Sequence, residues 1–92
     1  MNNSNSDDET LLEFPCEFSV KAMGLTSEQF ENTIVCIVRK HAADFGEAAV
    51  KNRPSKNGKY QSISITITAQ SKQQLDNIYQ DLTLCPDVIY AL

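Results

Sequence analysis

From Tyr60 to Thr68 the chain reads Tyr-Gln-Ser-Ile-Ser-Ile-Thr-Ile-Thr, a nearly unbroken alternation of polar and apolar residues. A period of two places Ile63, Ile65 and Ile67 on one face of a strand, with Ser62, Ser64, Thr66 and Thr68 on the other. β-branched residues stiffen χ1 and favour the pleated backbone. Such a strand belongs to a sheet covered on one side, its hydroxyl-bearing face left open. The chain must therefore supply a layer for the isoleucines to pack against.

The flanking segments supply it. Cys16 to Met23 alternates as well, with Cys16, Phe18, Val20 and Ala22 opposite Glu17, Ser19, Lys21 and Met23. Thr26 and Gln29 have the spacing of a capping box, with Leu25 and Phe30 as a hydrophobic staple. Phe30, Ile34, Ile37, Val38 and His41 then recur at helical spacing, which predicts a helix ending near Ala43. Glu47 to Asn52 reads as an edge strand stopped by Arg53-Pro54, and Asn57-Gly58 supplies hairpin-turn residues. Ser71 with Gln74 repeats the capping box ahead of Leu75, Ile78, Tyr79 and Leu82, and Pro86 closes that helix. Asp87 to Leu92 reads as a last strand. The order βαββαβ, with right-handed crossovers, defines an α+β ferredoxin-like sandwich. In it a four-stranded antiparallel sheet of order 4-1-3-2 carries two helices on one face.

A chain of 92 residues suffices for one core. Residues 1–10, rich in Asn, Ser and acidic side chains, read as a flexible tail, and 11–92 as a single domain. The opening residues lack the features of a secretory or transit peptide, and no apolar run approaches a membrane span, so the expected location is the cytoplasm. Cys16, Cys36 and Cys85 form neither a metal-ligand spacing nor an even disulfide set.

Known uses of this topology can be tested against the residues. An iron–sulfur cluster needs about four clustered cysteines. A heavy-metal carrier needs Cys-x-x-Cys where this chain has Met23-Gly24-Leu25-Thr26. An acylphosphatase-like site needs an arginine in that loop, and none lies between Pro15 and Val38. No catalytic residue, metal ligand or cofactor is expected. His41, the single histidine, reads as a helix-end residue whose charged form suits the macrodipole, with no partner evident.

Two surfaces remain. The basic loop holds Lys51, Arg53, Lys56 and Lys59, and Arg53, Ser55, Lys56 and Lys59 are candidate binders of an anion or of an acidic partner protein. The open sheet face offers Lys21, Tyr60, Ser62, Ser64 and Thr66. That second face is where an RNA-recognition domain reads single-stranded bases, but here Ser62 stands in place of a second outward aromatic ring. A net charge of −4 also opposes nucleic acid, so RNA is the alternative reading and a protein partner the first.

Several stretches in order, Leu11-Leu-Glu-Phe-Pro15, Val20-Lys-Ala-Met-Gly24, Val38-Arg-Lys-His-Ala42, Arg53-Pro-Ser-Lys-Asn-Gly-Lys-Tyr60 and Ser62-Ile-Ser-Ile-Thr66, resemble the YbeD-like family of small bacterial proteins. The resemblance spans Leu11 to Leu92 and implies a ferredoxin-like fold similar to ACT-type regulatory domains, which bind amino acids or related metabolites. It brings no catalytic residues. The resulting expectation is a non-enzymatic regulatory or protein-interaction module. Metabolite sensing in the ACT manner and self-association through sheet edges or faces are further expectations.

Overall fold

The computed structural model describes residues 12–92. The expected tail at 1–10 lies outside them. The elements are β1 (Cys16–Leu25), α1 (Phe30–His41), a 3₁₀ turn (Glu47–Ala49), β2 (Val50–Pro54), β3 (Tyr60–Ala69), α2 (Lys72–Leu84) and β4 (Tyr90–Ala91). The sheet runs β2-β3-β1-β4 and is antiparallel throughout, which is the 4-1-3-2 order read from the other edge.

β1 and β3 pair along their whole length, from Cys16 opposite Ala69 to Leu25 opposite Tyr60. This register matches the two alternations. Val20, Ala22, Ile63, Ile65 and Ile67 turn to the helices and are buried there with Phe30, Ile34, Val38, Leu75, Ile78 and Leu82. A register slip of one residue would put the two apolar rows on opposite faces and turn one of them to solvent, so the pairing is strongly determined.

The first capping box does not form. The ladder continues past Leu25, because the Thr26 N–H donates to the Lys59 carbonyl at 3.0 Å and the Thr26 hydroxyl to the Gly58 carbonyl at 2.7 Å. Thr26 is therefore claimed by the hairpin loop, and α1 begins four residues later with Gln29 at the cap and no side-chain cap bond. The second box does form in part: the Ser71 hydroxyl accepts from the Gln74 N–H at 3.1 Å. Gln74 Oε1 accepts from the Gln70 N–H at 2.7 Å, and its Nε2 donates to the His41 carbonyl at 2.8 Å. One side chain thus caps α2 and ties it to the end of α1.

β2 lies at the edge as expected but is displaced toward the C-terminus. Glu47–Ala49 close a 3₁₀ turn, and the strand runs on through Arg53 and Pro54. Proline is accommodated because the Ser55 N–H donates inward to Tyr60, which by alternation turns the Pro54 nitrogen to the open edge. Of Asn57 and Gly58 only Gly58 adopts positive φ, at 76°. α1 ends at His41 rather than Ala43.

The last strand is shorter than Asp87–Leu92, because Asp87 crosses over Gly24 before pairing starts. A β-carbon on Gly24 would collide with the Asp87 carbonyl and the fully buried Phe30 ring. Neither obstacle is a flexible side-chain end. Gly24→Ala is expected to lower stability by about 1–3 kcal/mol, read as a reduced urea midpoint at an unchanged slope.

Candidate anion-docking face

Across the uncovered side of the sheet, the register sets two adjacent rows. Lys21, Ser64 and Lys51 stand side by side on β1, β3 and β2, and Met23, Ser62 and Arg53 form the next row. Lys21 and Lys51 thus flank Ser64 at roughly 9–10 Å between backbones. Arg53 stands beside Lys51 on the same face, two residues along β2. These side chains line one shallow depression of about 210 Å³ with Ser62 and Ser64 at its floor.

Two apolar depressions adjoin it and share Ser62. One, of about 130 Å³, is walled by Met23, Tyr90 and Leu92. The other, of about 220 Å³, lies between Met23, Arg53, Pro54 and Tyr60. Leu92 is held at the rim because its backbone exchanges hydrogen bonds with Lys21 at 2.9 and 3.0 Å. The Tyr79 hydroxyl also donates to its carbonyl. Burial pushes the Tyr79 pKa up, against a smaller lowering by the Lys21 N–H, so the phenol remains a donor.

The distribution of charge is asymmetric. Lys40 and Lys72 are paired with Asp81 and Asp76, and Arg39 stacks 4.2 Å above the Phe45 ring. Lys21, Lys51 and Arg53 make no ion pair among the described residues. Glu17 is the one acidic residue that the strands turn to this face, and it sits at the far end opposite Thr68. A chain of net charge −4 therefore presents a cationic sheet face.

The expected site residues divide among three places. Lys21, Ser62, Ser64 and Arg53 converge at the middle of the sheet, and Tyr60 flanks them at its hairpin end. Thr66 lies farther along, beside a separate depression of about 380 Å³ rimmed by Glu17 and Asp44. Lys56 and Lys59 stay at the hairpin tip, where the Lys59 ammonium sits 5.5 Å from the Tyr60 ring centre. The Ser55 hydroxyl is engaged within the loop, accepting from the Tyr60 N–H at 3.0 Å and donating to Asn57 at 3.2 Å. Lys51, Met23, Tyr90 and Leu92 were not among the expected site residues. Strand parity alone would have grouped Lys51 with Arg53.

His41 does have a partner. Its Nε2 lies 2.7 Å from Asp81 Oδ2, and Lys40 Nζ approaches the same oxygen at 3.2 Å. The pair joins the two helices on the opposite side of the molecule from the cationic face. The hydrogen bond from His41, then that from Lys40, holds the Asp81 carboxyl below its ordinary range. A carboxylate with a depressed folded-state pKa stabilises the fold above the unfolded-state value, and that contribution fades as pH falls through the folded-state value. Asp81→Asn should therefore be less stable than the parent at about pH 6, with the gap closing as pH falls through and below the ordinary carboxylate range. Denaturant unfolding across that range measures it.

The fold and this face define a small ferredoxin-like α+β protein with one open, positively charged sheet surface. The chain belongs to the family described as "Protein of unknown function (DUF493)", whose model matches residues 9–92. It is 43% identical over 84 residues to a UPF0250 protein of Janthinobacterium sp. (strain Marseille), covering 91% of this chain and 92% of that one. It is 44% identical over 88 residues to a UPF0250 protein of Chromobacterium violaceum, covering 96% and 99%. The solution structure of protein HP0495 from H. pylori shares the fold at a TM-score of 0.66 and 17% identity, covering 88% of this chain and 85% of that one. No helix of the described residues is long and apolar enough to cross a membrane.

Proposed function

We propose that this protein is a non-enzymatic interaction module of the cytoplasm that docks an acidic partner protein on its open sheet face. The observation that carries the reading is the convergence of Lys21, Lys51 and Arg53 around two serine hydroxyls, with none of the three in an ion pair among the described residues. Three like charges held on neighbouring strands repel one another, and an opposing anionic surface relieves that repulsion while steering encounter.

A macromolecular partner is favoured over a small metabolite by shape. Small-ligand sites enclose most of their guest in cavities of roughly 300–1,000 Å³. Here the depressions around the cations measure about 130, 210 and 220 Å³ and lie open along one surface, and the larger one of about 380 Å³ beside Thr66 is rimmed by Glu17 and Asp44 and includes none of the three cations. A protein segment can span the three smaller depressions at once. Single-stranded RNA would meet Tyr60 and Tyr90 on the same face, but it would also meet a chain whose overall charge repels it.

Affinity capture from the native cell tests the reading, with Lys21, Lys51 and Arg53 replaced together by Ala. A second variant carrying Lys40→Ala and Lys72→Ala serves as the control. Partners held by the parent and the control should be lost from the triple variant, whose circular dichroism should match the parent. Equal capture by all three proteins would remove the sheet face from consideration.

A further inference from the structure

The cationic depression and the apolar one walled by Met23, Tyr90 and Leu92 are neighbours with shared walls, since Lys21 and Ser62 belong to both. The first is centred over β3 and the second over β1. Their centres are thus separated by about one to one and a half strand spacings, roughly 5–7 Å. That is also the separation of side chains i and i+2 in an extended chain, roughly 6.6–6.8 Å. Residues i and i+2 point to the same side of such a chain, and i+1 points away.

We infer that the partner segment recognised by this face is an extended stretch crossing the sheet, with an Asp or Glu followed two residues later by a large apolar side chain. This rests on the reading of the face as an acidic-partner surface and adds the pattern that face selects. The carboxylate enters among Lys21, Lys51 and Arg53. The guanidinium offers paired N–H donors, and the Ser62 and Ser64 hydroxyls are additional donors. The apolar side chain covers Met23, Tyr90 and Leu92, of which Tyr90 and Leu92 are 52% and 60% exposed. Neither half of the motif suffices for selectivity. A lone carboxylate gains little at a solvated surface, and a lone apolar residue leaves the cations unmatched.

Three Ser/Thr-rich dodecapeptides titrated into the full chain at low ionic strength, followed by amide chemical shifts, distinguish the possibilities. The first carries Glu-Ser-Leu at its centre, the second Glu-Leu-Ser, and the third Glu-Ser-Ser. The first should bind about tenfold more tightly than either of the others, with shifts at Lys21, Met23, Ser62 and Tyr90. Leu92→Ser and, separately, Met23→Ser should reduce that preference while leaving the weak binding of Glu-Ser-Ser in place. Equal binding of all three peptides, abolished by Lys21→Ala with Arg53→Ala, would overturn the spacing rule and leave the acidic-docking reading standing. Failure of every acidic peptide to bind would overturn both. Tighter binding of an octamer of uridine than of any peptide would overturn them in favour of RNA.

Discussion

The uninterrupted pairing of β1 with β3 is the constraint on which the rest of the molecule depends. It joins residues far apart in sequence, from Leu25 with Tyr60 to Cys16 with Ala69. Because the side-chain period of a strand is two, this one register decides the content of both faces. It sends Val20, Ala22, Ile63, Ile65 and Ile67 under the helices and brings Lys21 beside Ser64 on the other side. Core and surface are thus consequences of the same hydrogen-bond ladder, and neither could be shifted without the other.

The helical layer is held by specific polar ties as well as by packing. Gln61, buried on the helix-facing side of β3, accepts from the Ser27 N–H at 2.8 Å and donates to Asn52 at 3.2 Å. It thereby joins the loop entering α1 to the edge strand. Asn52 in turn donates to Glu31 at 2.9 Å, at the start of α1. At the other end, Arg39 donates to the Phe45 carbonyl at 3.1 Å and covers the Phe45 ring, closing the chain's exit from α1. These ties draw several polar groups to the helical side, while the cations of the open face have no comparable internal partners among the described residues.

Element type was legible in the sequence wherever a period persisted over many residues, as in β1, β3 and both apolar helix stripes. Boundaries failed where a distant segment competed for the same groups. Thr26 has the spacing of a helix cap, yet its donors are taken by Lys59 and Gly58, which are adjacent only once β1 and β3 have paired. The His41–Asp81 contact was invisible for the same reason, since it exists only between packed helices. Lys21 could be named as a surface candidate from strand parity, and Arg53 from its place in the basic loop. Their meeting over Ser62 and Ser64, with Lys51, required the pairing of three strands, and that information is carried by long-range register rather than by local pattern. Ser55 shows the converse, a polar loop residue whose hydroxyl serves the loop itself.

The length of the β1–β3 ladder also has a consequence for synthesis on the ribosome. β1 leaves the exit tunnel well before its partner, and nothing in α1 or β2 can substitute for β3, since β2 itself pairs only with β3. Until Ala69 has emerged, the apolar edge formed by Phe18, Val20 and Ala22 has no strand to align it. Contacts of such sequence separation require loop closure before they return any stabilisation. The N-terminal half thus has no sheet to join until β3 is available, and a chain truncated before Tyr60 has no stable sheet to form.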